Sequence, residues 1–178
     1  MGWVNTVIAT AQSLGVEANA LLAAADIPSS ALDWERWPID YITRLWRAAE
    51  HCTGDAGFGL KVGARVSPAS INVVGFALQS AATLREAIVM MQKYQRLISD
   101  GGRFQMLAGG TSTWVVYHPR QGQLAFSPHQ IEAVLAAVVT FAGWVMGVTL
   151  HPLRVQLSQA QLGALQGYRN VFACPVEF

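Results

Sequence analysis

From Ala133 to Leu150 the chain carries no charged residue. A run of this kind is either a membrane span, which needs roughly 18 or more consecutive apolar residues, or a helix enclosed by the rest of the protein. Local features favour the enclosed helix. Ser127-Pro128-His129-Gln130 has the form of a helix start, with Ser at the N-cap, Pro at the first helical position and Gln two residues further on. Gly143, Gly147 and Thr149, followed by His151-Pro152, end the helix near Met146. Its faces differ in bulk: Ile131, Leu135, Val138, Ala142 and Val145 form a heavy stripe, and Ala136, Thr140, Gly143 and Gly147 a ridge of small residues that lets another helix approach closely. No Lys or Arg lies near enough to orient a span. The expectation is a core helix in a domain that does not enter the membrane.

Composition narrows the class further. A chain of 178 residues suits one domain with a sizeable core. With a net charge of +1 and scattered basic residues, it lacks the clustered Lys and Arg that phosphate backbones require. Hydrophobic residues make up 52% and the mean hydropathy is +0.31, which points to a large core, a ligand cavity or an apolar face for a partner. Cys52 and Cys174 stand far apart without a CxxC companion and are expected to be reduced, buried thiols. No basic segment opens the chain as in a signal peptide, and the loose myristoylation pattern at Gly2 is better explained as a helix start.

Periodicity divides the remainder without an interdomain linker. Helices are expected at 3–14 and 17–25, and at 39–53 with Ile42, Leu45, Trp46 and Ala49 inward and Gly54 closing it. Short helices follow before Pro68 and over 71–80. The clearest helix begins at Thr83, where Thr83 and Glu86 match a capping box and Leu84, Ala87, Ile88, Met91, Tyr94 and Ile98 recur at helical spacing. Two strands around Gly109-Gly110 predict a hairpin near 102–118. Further strands are expected near 153–158 and 174–178, with helix from Gln159 to Phe172. The fold class is α+β: a mostly helical single domain with a small antiparallel sheet.

Motifs that announce catalysis are missing. There is no G-x-S-x-G, P-loop or H-E-x-x-H pattern, and the glycines of GFGLKVG at 57–63 follow a helix at the wrong spacing for a dinucleotide loop. His51, His118, His129 and His151 never fall at metal-ligand spacing and read as solvated or backbone-bonded imidazoles at element ends. His51 and Cys52, adjacent on a helix, diverge too far for a nucleophile and its base, and packing is the better account of Cys52. Asp33, Glu35 and Arg36 read as a solvated charge cluster. The expectation is no enzyme, no metal and no cofactor. Aromatics offer the better pocket candidates, because Tyr and Trp bring a polar handle to an apolar wall. Alternation puts Thr113, Val115 and Tyr117 on one face of the second hairpin strand and Trp114, Val116 and His118 on the other. Tyr94, Trp114 and Tyr117, with Gln95 as a polar partner, are the candidate ligand contacts.

The order of motifs resembles the N-terminal, arabinose-binding-type effector domain of AraC-family bacterial transcription regulators. Gly59-Leu60 with Gly63, Gly75 with Ser80, Thr83-Leu84 with Glu86-Ala87, and Tyr94 with Arg96-Leu97 and Ser99-Asp100 follow that family's pattern. GVEANALLAAADIPSSALD resembles its opening helices and YRNVFACPVEF its closing segment, whereas residues 102–130 share little with it beyond a strand pattern. The matching positions look structural: Gly59, Gly63 and Gly75 for close packing or helix ends, Pro175 and Phe178 for setting and burying the last strand. The resemblance implies a cytoplasmic sensor that binds a small-molecule effector, forms a homodimer, and touches DNA only through a C-terminal helix-turn-helix domain absent from residues 1–178. Members respond to diverse metabolites, so the arabinose label assigns no ligand. The competing expectation is a protein–protein interaction module without a small-molecule ligand.

Overall fold

A computed structural model of the protein describes residues 2–178. Helices α1 (Gly2–Ser13), α2 (Ala18–Ala24), α3 (Ile39–Thr53), α4 (Phe58–Ala64), α5 (Asn72–Leu78) and α6 (Leu84–Ile98) precede a hairpin of β1 (Gly102–Gly109) and β2 (Ser112–Pro119). Then come α7 (Pro128–Met146), β3 (Val155–Gln156), α8 (Leu165–Phe172) and β4 (Val176–Glu177). The class is α+β, dominated by helix, as the sequence predicts.

Local chemistry sets the boundaries. The Thr83 hydroxyl accepts from the Glu86 N–H at 3.2 Å, while the Glu86 carboxylate reaches back to the Ala82 N–H at 3.0 Å, a capping box displaced by one residue. Gly54 closes α3 in the left-handed conformation at φ 61°, and Gly147 closes α7 likewise at φ 64°. Ser127 does occupy the N-cap of α7, but its hydroxyl is buried and makes no capping bond. Before α7 the chain is tied to α3: the Asp40 carboxylate accepts from the Gln123 and Leu124 N–H groups, and Arg47 donates to the Ala125 carbonyl.

The strands differ from the single expected sheet. β1 and β2 pair antiparallel, Phe104 opposite Tyr117, and form a sheet of their own. β3 and β4 form a separate parallel pair, because α8 lies between them and a helical crossover returns the chain in the same direction. Helix does not begin at Gln159 either. The Tyr168 hydroxyl accepts from the Leu162 N–H at 3.1 Å, holding the segment ahead of Leu165 in a turn.

Three apolar clusters make the core; α7 enters all of them and α4 two, the residue just after α4 reaching the third. Phe58, Val62 and Ala133 pack with α1, α2 and α3; Leu60 and Ala136 with Val155, Leu157, Tyr168 and Phe172; Val66, just after α4, and Phe141 with Val74, Leu78 and Ala87. The two helices meet through small residues. A β-carbon on Gly59 would stand 2.2 Å from the His129 carbonyl oxygen, and one on Gly63 2.4 Å from the Ala136 β-carbon and 2.5 Å from the Ala133 carbonyl oxygen. Gly75 is equally constrained by the Pro68 carbonyl, at 2.2 Å. The expected bulky stripe on α7 is only half-buried, and of the expected small ridge only Ala136 is buried, Thr140 and Gly143 being half-buried and Gly147 exposed; the closed face runs through Ala133, Ala136 and Phe141. The helix is long and apolar enough to cross a membrane, yet its first turns bury His129, Gln130 and Glu132.

Other expectations need correction. Cys52 is exposed and Cys174 half-buried, both unpaired. The inward row of α3 runs from Ala49 to Thr53, whose hydroxyl bonds the Ala49 carbonyl, and Cys52 lies beside that row at the end of the helix. Phe178 stays 45% exposed, its ring meeting Tyr168 edge-on at 5.0 Å.

The α4–α7 contact yields a direct test. Gly59→Ala forces a β-carbon into backbone and should destabilise by about 2 kcal/mol or more in chemical denaturation. Gly167→Ala in α8 meets only the Leu60 side chain at 3.5 Å and should be neutral or stabilising by up to about 1 kcal/mol.

Candidate functional site

The amphipathic pattern of α3 generates two working faces. Leu45, Trp46 and Ala49 point into the core, while Arg47, Glu50, His51 and Gly54, three and four residues apart, share an outer edge. That edge borders an open cleft of about 530 Å³, completed by Asp55, Ala56, Leu162 and, from α7, His129. The volume falls within the range of small-molecule sites.

His129 is the buried element of the cleft, only 2% exposed. Its Nε2 stands 3.4 Å from a Glu50 carboxylate oxygen, and its Nδ1 has no hydrogen-bond partner within the protein. Arg47 spends one guanidinium nitrogen on the Ala125 carbonyl at 2.8 Å and faces no carboxylate partner among the described residues. Asp55 sits at the turn after α3. Burial pushes its carboxyl up, but the Lys61 ammonium, the Gly57 N–H at 2.9 Å and the nearby His129 together outweigh burial and hold it below its usual value. The cleft thus offers carboxylates and a guanidinium at short range, around an imidazole whose position is fixed.

One turn beyond His129 lies a second polar group in the apolar helix. Glu132 is fully enclosed and accepts a hydrogen bond from the Tyr168 hydroxyl, leaving its other oxygen unpartnered. Burial pushes its pKa up to about 7, against the opposing pull of Tyr168 and Gln159. Burial also raises Tyr168, and the carboxyl beside it adds to the shift. Gln159 donates to the Pro128 carbonyl at 3.0 Å and so fixes the start of α7. A smaller cleft of about 340 Å³ lies by the N-terminus of α1, around Thr6, Arg65 and Ser70. Among the described residues no three His, Cys, Asp or Glu side chains gather closely enough to hold a metal ion.

The four sequence candidates lie elsewhere, at the hairpin and α6. Gln95 and Tyr117 converge on Phe104: the Gln95 side-chain oxygen accepts from the Phe104 N–H at 2.7 Å, and the Tyr117 ring packs on the Phe104 ring at 4.9 Å. Tyr117 donates to the Gly101 carbonyl at 2.9 Å, and burial raises its pKa well above the ordinary value. Trp114 projects from the opposite face of β2, under the Arg154 guanidinium at 4.6 Å. Tyr94 is 38% exposed rather than turned to the core, with the Lys93 ammonium 5.3 Å from its ring. None of the four borders the α3–α7 cleft.

Sequence reasoning missed Arg47, Glu50, Asp55 and His129. Outward charges on an amphipathic helix look the same whether they border a cleft or open water. The one available signal was His129 itself: an imidazole in the first turn of the most apolar helix has a poor chance of remaining solvated.

A helical domain with a polar cleft floored by a buried imidazole is suited to holding a small molecule. Its relatives are regulators. Residues 15–178 match the model of the arabinose-binding domain of AraC transcription regulators, N-terminal, and the chain belongs to that family. It is a regulatory domain of the ligand-sensing kind. The chain is also 26% identical over 175 residues to an ornithine utilization regulator from Pseudomonas aeruginosa, an alignment covering 92% of this chain and 49% of that protein. The chain therefore spans about half the length of the relative it matches.

Glu132 gives the site a pH signature. A carboxyl whose folded pKa of about 7 exceeds its ordinary value of 4.5 contributes stability fully below the lower value and loses it as pH rises through the higher. The unfolding free energy should fall between roughly pH 5 and 7.5, by up to about 3 kcal/mol from this group. Glu132→Gln, which cannot ionise, should flatten that slope in urea titrations run across the range.

Proposed function

We propose that the chain is the effector-sensing half of a cytoplasmic transcription regulator, with a small metabolite bound in the α3–α7 cleft. The observation that carries this reading is His129: its buried ring lines the cleft with Nε2 beside Glu50, while its backbone carbonyl lies against Gly59. A ligand engaging the ring acts on the residue through which α7 meets α4. Binding that favours one packing of that pair biases whatever is attached to the domain, here a helix-turn-helix DNA-binding module beyond residue 178. Gln95 would hold the hairpin on α6 through the Phe104 N–H, away from the cleft.

The regulator is proposed to work as a homodimer. Val73 and Phe76, three residues apart on one face of α5, are 70% and 59% exposed and suit a second copy of the chain. The same pair supports the second reading, an interaction module without a small ligand.

A thermal-shift screen against amino acids, amines, sugars and organic acids separates the two. Ornithine is included because of the relative named for its utilization. A compound at 100 times its dissociation constant adds about 2.7 kcal/mol, a rise in Tm of about 5 °C or more in a domain of this size. That rise should vanish in Ala56→Trp, which enlarges a residue bordering the cleft. No rise with any compound, together with a dimer that Phe76→Asp dissociates in analytical ultracentrifugation, would favour the interaction module.

A further inference from the structure

Resting on the reading of the cleft as the effector site, we infer that it recognises a small zwitterion, a molecule carrying an ammonium and a carboxylate together, of the size of an amino acid. Sugars, purely cationic amines and dicarboxylates are disfavoured. Arg47 has no carboxylate partner among the described residues, and Glu50 faces only the His129 ring. Arg47 and Glu50 are three residues apart on α3, which places their side chains on adjacent turns of one face. They are also opposite in sign, yet they form no ion pair with each other. Arg47 is turned to the Ala125 carbonyl and Glu50 to the His129 ring. Each therefore keeps a charged edge towards the cleft, positive at one side and negative at the other.

Asp55 and Lys61 leave this balance unchanged, because their charges are spent on each other. A purely cationic ligand satisfies Glu50 but meets Arg47, and a dianion satisfies Arg47 but meets Glu50. An uncharged polyol uses neither full charge. A zwitterion pairs its carboxylate with the guanidinium and its ammonium with Glu50. The buried His129 ring provides a polar contact of fixed position from below. Recognition of this kind needs small polar ligands rather than apolar ones, in keeping with the charged and hydrogen-bonding residues along the cleft.

Isothermal titration calorimetry on the protein tests this with the common amino acids and L-ornithine, each paired with its decarboxylated amine and its deaminated acid. At least one amino acid should bind while its amine and its acid bind at least about tenfold more weakly. Arg47→Gln and Glu50→Gln, exposed substitutions that remove one charge each, should both weaken that amino acid by about tenfold or more, while loss of the Ala125 and His129 contacts lowers the unliganded Tm by only a few degrees and leaves both variants folded. An amine or acid binding as tightly as its amino acid overturns the inference, as does a binding amino acid indifferent to both substitutions. If no amino acid binds but another compound loses binding in Ala56→Trp, the zwitterion class is wrong and the cleft remains the effector site. If no ligand responds to Ala56→Trp, the cleft reading falls and the inference with it.

Discussion

Everything in this fold depends on how closely α4 can approach α7. Gly59 lies over the His129 carbonyl and Gly63 over Ala133 and Ala136, at separations that leave no space for a β-carbon. Close approach lets the side chains flanking the glycines reach outward on both sides, so that Phe58 and Val62 close one cluster, Leu60 a second and Val66 a third. A bulkier residue at either glycine would push apart all three clusters together. Dense interiors transmit such a displacement, because packed side chains have few alternative arrangements at comparable energy. The contact is thus both the keystone of stability and the place where a small local change travels furthest.

Polar groups on the first turns of α7 work against the stability that this packing supplies. Ser127, Gln130 and Glu132 are each buried with an unpartnered oxygen, and His129 with an unpartnered nitrogen. Each such atom costs on the order of 1–3 kcal/mol relative to one that is bonded. A helix selected only for packing would carry Ala or Leu at these positions, as it does at Ala133 and Ala136. The concentration of these groups at one end of one helix, beside the cleft, is how a site looks when function opposes stability. Tyr168 and Gln159 offset part of the cost at Glu132, and the raised pKa of that carboxyl is the remainder.

What could be read from the sequence follows from range. Caps and periodicity are local, so the limits of α3, α6 and α7 and the roles of Gly54, Thr83 and Glu86 were legible. The packing role of Gly59, Gly63 and Gly75 was legible as a need for small residues, but their partners were not, since Pro68, His129 and Ala136 are fixed only by tertiary structure. The parallel pairing of β3 with β4 escaped because strand direction depends on what α8 does between them, and the exposure of Cys52 because α3 turns one residue aside at its end. The cleft assembles Arg47, Glu50 and Asp55 with His129 across some eighty positions of sequence. No spacing rule brings such residues together. Only the apolar helix around His129 marked it as unlike a solvated histidine.

His129 joins the two halves of this account. Its ring belongs to the cleft and its carbonyl to the α4 contact, and the two are separated by a few covalent bonds. A rotation of the ring that improves a bond to a ligand is resisted or assisted by the backbone, which cannot move without disturbing Gly59. On the proposed reading, a ligand shifts the packing of α4 on α7 only by the difference in its free energy of binding to the two arrangements. Glycine at position 59 matters twice in this respect. It permits the close packing, and by having no side chain it puts the α4 backbone itself against the His129 carbonyl. A larger residue would lock that contact or break it.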